Sequence, residues 1–373
     1  GYVMGIYIIK KIEDYIRDSM QNIDYLIYLL VNPFKFKSFP KSVKRILVVE
    51  LLNYGDLIVS TPTLKALKQH FKDAEIDVLI KQGKEDVLKG NKNIKQCIPY
   101  VTFSRTKDIL REKKYDLGIM LHPGSWKISL LLLLGKVKYR IGGTKTGITY
   151  GKGFFLNKKI FPNNKEQHKI EDNLDVIRSI GIETKDKHLE LFPSTVAEKR
   201  IKKILKKYPR PWIGINAASA HYSQRWYKEK WKEVIEYYQK RKATIIMMGV
   251  KQERDQVQSI LNELSNVKGT VNLTGKTTFD EFMSLIKNLD LLITIDSSAT
   301  HIASAFDKPV LTLFGPTIPT FWGPTGKSPA YIWKEEGCVG CRRYLCIYNK
   351  GYECMRSITP DEVITKARTL LKK

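Results

Sequence analysis

Residues 291–314 read LLITIDSSATHIASAFDKPVLTLF, a complete strand, helix and strand in a single run. The stretch 291–295 is uninterrupted by charge and of strand length, and 310–314 matches it. Between them Ser297 and Ser298 open a helix of small residues that continues through 302–306 and stops at Asp307-Lys308-Pro309. Two uncharged, largely apolar strands joined by a helical crossover belong in a parallel sheet covered on both faces. Ligands of such open sheets bind beyond the carboxyl ends of the strands, so the residues immediately after each strand carry the functional information.

Working outward, apolar-rich stretches of strand length, candidates for buried strands, recur at 46–52, 76–80, 117–121, 212–216 and 244–248, with helical stretches between most of them. This alternation predicts an α/β protein with doubly wound parallel sheets. The first run leads into the turn Asn53-Tyr54-Gly55-Asp56 and a helix beginning near Pro62, with Ser60 or Thr61 as its cap. A division is expected near Phe192-Pro193-Ser194. Before it Gly142, Gly143, Gly147, Gly151 and Gly153 gather in a loop-rich stretch; after it a basic helix, 199–207, ends at Pro209 and Pro211. The reading is of two doubly wound domains, 44–193 and 194–373, facing each other across a cleft, preceded by a distinct segment, 1–43.

In that segment Ile9, Ile12, Ile16, Met20, Ile23, Ile27 and Leu30 lie on one stripe of an amphipathic helix, followed by Lys35, Lys37, Lys41, Lys44 and Arg45 with no acid among them. Its stripe packs on protein or docks on a membrane surface; the mixed charges of the opposite face favour protein and the later cations favour lipid. Across 373 residues, 64 Lys and Arg oppose 38 Asp and Glu, a formal charge of +26, and 43% of residues are hydrophobic. That balance excludes a disordered or collagenous chain. No window reaches the length of a membrane span, the longest apolar run being 128–134, and no signal peptide is evident, so a cytoplasmic location is expected. The cations are spread over many helices without a recognition motif, which argues against nucleic acid as the partner.

Three strand-end segments carry chemistry. Asp56 follows the first strand; a carboxylate there would repel a diphosphate but is placed to take a proton from a hydroxyl, or else it caps the following helix. No Gly-x-Gly-x-x-Gly is present. Ser297 and Ser298 open a helix whose N–H groups suit a diphosphate, with Asp296 as a hydroxyl acceptor or plain cap, and His301 one turn inside as a site residue or a satisfied core histidine. Asn216 to Trp226 forms the third, where small residues admit a ligand and Arg225 offers a phosphate partner, or where the chain simply makes a surface loop. With no Asp-x-Asp pair to hold a divalent cation, helix dipoles and cations are expected to neutralise a leaving diphosphate, without a catalytic metal.

Taken together, these landmarks resemble the heptosyltransferases of glycosyltransferase family 9, from about Arg45 to the C-terminus: 46–56 with Thr61-Pro62, Gln224-Arg225-Trp226, Gly249 followed by Glu253, Leu273-Thr274-Gly275-Lys276-Thr277, Asp296 to His301, and Phe314-Gly315-Pro316-Thr317. The resemblance implies the GT-B fold, with Rossmann-like domains for acceptor (44–193) and nucleotide sugar (194–373). It implies inverting transfer from ADP-heptose to a lipopolysaccharide core acceptor, an anionic glycolipid, at the inner face of the membrane. Asp56 would be the base, while Ser219, Ala220, Gln224, Arg225, Glu253, Thr277, Asp296, Ser297, Ser298 and His301 would line the donor site, Glu253 on ribose hydroxyls. Two positions depart from the family pattern, which usually has Lys at Gln224 and Gly at Ser298.

The late thiols Cys338, Cys341, Cys346 and Cys354 also resemble a family feature. One C-x-x-C among four cysteines permits a structural zinc; buried free thiols are the alternative.

Overall fold

The computed structural model describes residues 34, 37–121, 124–143, 153–160, 166–334, 341 and 353–372. The chain divides into two compact units, Gly1–Lys187 and His188–Lys373. The expected N-terminal helix lies outside the described residues, as do Gly147 and Gly151.

The first unit holds six parallel strands: β1 (Arg45–Glu50), β2 (Glu75–Lys81), β3 (Gln96–Tyr100), β4 (Leu117–Met120), β5 (Tyr139–Gly143) and β6 (Lys158–Ile160), in spatial order β3-β2-β1-β4-β5-β6. Ile46 pairs with Ile76 on one side and Leu117 on the other, which makes β1 the central strand. Its residues 46–49 are buried on both faces, explaining the unbroken apolar run. Leu47, Val49, Leu79, Ile98, Leu131 and Leu132 share the core of this unit.

The second unit repeats the plan with β7 (Trp212–Asn216), β8 (Thr244–Met247), β9 (Thr270–Asn272), β10 (Leu291–Ile295), β11 (Val310–Phe314) and β12 (Pro329–Trp333), ordered β12-β11-β10-β7-β8-β9. Leu292 pairs with Gly214 of β7 and with Val310 of β11. Counted from the first strand of each unit, both sheets follow the order 3-2-1-4-5-6, and the connections reverse direction between the first and fourth strands. That reversal opens a crevice at the carboxyl ends of β1 and β4, and another at those of β7 and β10. Trp231, Val234, Met247, Ile293 and Leu313 fill the second core, joined by Val363, Ala367 and Leu370 of the C-terminal helix Pro360–Leu371.

Two local expectations need correction. Asn53 to Asp56 is the start of a helix, Tyr54–Val59, because Asn53 caps it and Asp56 at its third position closes a capping box. Gly142 and Gly143 end β5 rather than forming a loop. The small-residue helix opened by Ser297 and Ser298 is found as expected, Ser298–Ala305 with Ser297 as its cap. The helix at Pro62 is found as expected, Thr61–His70.

Candidate functional site

The crevice of the second unit is built from the ends of β7, β8, β10 and β11. β10 delivers Asp296, whose Oδ2 accepts the Thr317 hydroxyl at 2.6 Å and the Gln224 side-chain N–H at 3.3 Å. Asp296 therefore does not cap the helix. Burial raises its carboxyl to about 6, against which the Thr317 bond works. Ser297 is the cap: its Oγ accepts the Ala299 N–H at 3.3 Å and the Asn216 amide at 2.9 Å, so the end of β7 holds the mouth of the helix on β10. Helix Ser298–Ala305 consists of small, buried residues, with Thr300 bonded to Thr312 of β11 at 3.0 Å. Ser298 stays partly exposed at the helix start, and His301 is buried beside Trp322, ring centroids 6.0 Å apart.

The loop after β7 closes on the same point. Ser219 Oγ donates to Gln224 Oε1 at 2.9 Å and accepts the His221 N–H at 3.0 Å. Ser219, Gln224 and Asp296 thus form one chain of hydrogen bonds, although 77 positions separate its ends in sequence. Arg225 gives its Nε to the Ser219 carbonyl at 2.8 Å and lays its guanidinium 3.8 Å from the Tyr222 ring centre, leaving its terminal nitrogens for an anion. Ala220 is exposed at the tip.

Glu253 follows β8. Its Oε2 accepts the Val250 N–H at 2.9 Å; burial raises its carboxyl, opposed by that bond and by the charge of Arg225. Gly249 makes this possible, since a Cβ there would lie 2.5 Å from Oε2, and its φ of +154° suits glycine. Gly275, at φ +65°, donates its N–H to the Gly249 carbonyl at 2.8 Å, which sets the loop carrying half-buried Thr277. The structure thus joins Ser219, Gln224 and Asp296 in one hydrogen-bonded network, with Arg225 tied to it through Ser219 and Glu253 within range of the Arg225 charge, while Ser297 is bonded separately to Asn216. For Thr277 and Ala220 no bond to that network is found.

At the first unit's crevice, Asp56 is 8% exposed and Oδ2 accepts the Asn53 N–H at 3.1 Å. Burial raises its carboxyl, while the Asn53 N–H and the charges of Lys169 and Lys84 lower it. A cap and a base are compatible here, because the bond occupies one oxygen. Lys84 donates to the Leu52 carbonyl at 3.1 Å and Asn53 Oδ1 at 2.9 Å. Beside them stands a residue the sequence reading did not single out, Glu50, buried at the end of β1. The signal was a lone acid inside the apolar run 46–52. Thr317 and Asn216 were also passed over as site residues, although both lie in segments the sequence marked.

Cys338 and Cys346 lie outside the described residues. Cys341 is half-buried, and Cys354 is packed in the apolar core of the second unit. Among the described residues no group of three or more His, Cys, Asp or Glu side chains is arranged to hold a metal, and no helix is long and apolar enough to cross a membrane.

Two parallel sheets of this order, each with candidate site residues at the strand reversal, define a GT-B architecture. The family model for glycosyltransferase family 9 (heptosyltransferase) matches residues 103–351, more than half of the chain. The chain belongs to that family and is a glycosyltransferase. Lipopolysaccharide heptosyltransferase 3 of Escherichia coli K12 is 28% identical over 344 residues, covering 85% of this chain and 95% of the relative. Among solved structures, a family 9 glycosyl transferase from Veillonella parvula superposes with TM-score 0.79 at 22% identity, covering 90% of this chain and 99% of that one. E. coli ADP-heptose lps heptosyltransferase II superposes at 0.74 and 22%, covering 88% and 98%. These two likenesses establish the fold.

Proposed function

We propose that this protein transfers heptose from ADP-heptose to a lipopolysaccharide core acceptor, with inversion at the anomeric carbon and without a catalytic metal. The observation that carries the reading is Asp56: a nearly buried carboxylate at the carboxyl end of the central strand, with one oxygen tied to Asn53 and its basicity raised by burial. Asp56 takes the proton of the acceptor hydroxyl as that oxygen bonds to the anomeric carbon. The bond from that carbon to the diphosphate breaks, and its electron pair leaves on ADP. A positioned base contributes about 10²- to 10⁴-fold.

The second unit receives the departing charge. N–H groups at the start of helix Ser298–Ala305 and the guanidinium of Arg225 face the diphosphate; Asp296 and Glu253 accept sugar and ribose hydroxyls. Ser219, Ala220, Gln224, Thr277, Ser297 and His301 complete the donor lining. Two names support the choice of donor and acceptor: the lipopolysaccharide heptosyltransferase 3 relative and the ADP-heptose heptosyltransferase II neighbour. An anionic glycolipid acceptor also suits a net charge of +26, and the cations at 35–45 would hold the enzyme peripherally at the inner face of the membrane. A structural zinc on Cys338, Cys341, Cys346 and Cys354 is the only metal role we retain; metal analysis of the purified protein tests it, and Cys354→Ser should abolish any zinc found.

Asp56→Asn is the test of the main reading. Turnover should fall by about 10²-fold or more, while ADP affinity, set by the second unit, stays within about twofold of the unchanged protein. Unaltered turnover would remove Asp56 from the chemistry and leave the carboxylate as a helix cap. A panel of nucleotide sugars reads the donor directly: faster transfer from any other member overturns ADP-heptose.

A further inference from the structure

Glu50 ends β1 with its side chain almost entirely out of solvent, 2% exposed. Its Oε1 accepts the Leu52 N–H at 3.2 Å, and its buried Oε2 takes no hydrogen bond among the described residues. The next amide along, that of Asn53, binds Asp56 Oδ2 at 3.1 Å. Two carboxyl groups thus hang from consecutive N–H groups of one short segment between β1 and the helix Tyr54–Val59. The charged groups facing Glu50 are Asp56, Lys169 from the start of helix Lys169–Arg178, and Lys84 from the loop after β2. Lys84 is anchored on the Leu52 carbonyl and Asn53 Oδ1, so it neutralises the segment from outside without bonding to either carboxyl.

A buried carboxylate oxygen with no donor is costly, and a second negative charge beside it raises that cost. A leucine or glutamine would satisfy the packing of a strand end at less expense, so the acid at this position asks for a role. We propose that Glu50 is a positioning residue that sets the basicity of Asp56, the two carboxyls titrating as one pair. The inference rests on the reading of Asp56 as the base. At neutral pH the pair carries one negative charge, on Asp56, which is nearer solvent; Glu50 keeps its own proton throughout a turnover, and the acceptor's proton goes to Asp56. Burial, then the charge of Asp56, push the Glu50 carboxyl up to about 8. When it ionises above that pH, the added charge makes Asp56 a stronger base.

The pair is read without reference to activity by carbon-13 NMR of the full chain, labelled at the Glu side-chain carboxyls. One Glu resonance should titrate near pH 8, vanish in Glu50→Gln, and titrate about one unit or more lower in Asp56→Asn. No Glu titrating above pH 7, or a Glu50 resonance unmoved in Asp56→Asn, overturns the pairing. In kinetics, kcat/KM should rise with pH in two steps. Glu50→Gln should match the unchanged protein within about twofold at pH 6 but lack the upper step, falling about threefold to tenfold below it at pH 9. Superimposable profiles would reject the proposal. Should Glu50→Gln fail to fold, Glu50→Asp keeps a titrating acid and is expected to retain an upper step at a displaced pH; a single-step profile there counts against the pair. Coupled NMR titrations with undiminished turnover in Asp56→Asn would instead remove the base reading and leave the pair standing.

Discussion

The Thr317 hydroxyl donates to Asp296 Oδ2 at 2.6 Å, binding the loop after β11 to the residue that ends β10. The contact holds the carboxylate and lowers its proton affinity against burial. Thr317→Val removes the donor and leaves the shape. Asp296, already raised to about 6, should rise further, so the acid limb of kcat/KM moves to higher pH by about one unit. Thr317→Ser should restore the original limb. A Val variant with an unshifted limb would show that Asp296 ionisation is not needed in turnover.

Gly249→Ala addresses the ribose side. The new Cβ would sit 2.5 Å from Glu253 Oε2, at a φ of +154° that side chains rarely adopt. Glu253 must then leave the Val250 N–H, and ADP affinity measured by calorimetry should fall by about tenfold or more, a loss of about 1.4 kcal/mol. Thermal stability of the second unit should drop as well. Retained affinity would place the ribose elsewhere.

Ser297 serves two strands at once, capping the helix on β10 while receiving the Asn216 amide from β7. Ser297→Ala loses a cap worth about 1 kcal/mol and strands the Asn216 N–H. The urea midpoint should fall accordingly, and ADP binding should weaken because the helix start is no longer held. Asn216→Ala is expected to give the same direction with a smaller effect, since the cap itself remains.

Glu50 also predicts how stability varies with pH. Its carboxyl is raised in the folded chain from an ordinary 4.5 to about 8, so the folded state binds the proton more tightly than the unfolded state. The stabilisation is fully present below about 4.5 and is lost as pH rises toward 8. Asp56, raised for the same chief reason, adds a contribution of the same sign. Melting temperature of the unchanged protein should therefore decline over that window more steeply than that of Glu50→Gln. Parallel melting curves would mean that Glu50 titrates normally.

Much of this molecule is legible as a string. Strands β7, β10 and β11 coincide with the apolar-rich runs 212–216, 291–295 and 310–314, because strands buried on both faces of a parallel sheet exclude charge and admit only polar groups that find a partner inside, as Asn216, Thr294 and Thr312 do. Short or edge strands such as β9 and β12 went unread, since partial exposure lets polar residues into them and the periodic signal fades. Asp56 was legible as a strand-end acid, but its place at the third position of a helix was hidden by Gly55, which local propensity reads as a turn.

The amino-acid order alone settled the α/β class, the family landmarks and the chemical types gathered after each strand, because burial and helix capping act over a few neighbouring residues. Only the folded chain decided that Thr317 and Gln224 hold Asp296, that Asn216 holds Ser297, and that Glu50 lies buried beside Asp56. Those relations depend on which strands become neighbours and how deeply each acid sinks below the surface, and the dielectric and charge around a carboxyl, hence its proton affinity, follow from that placement.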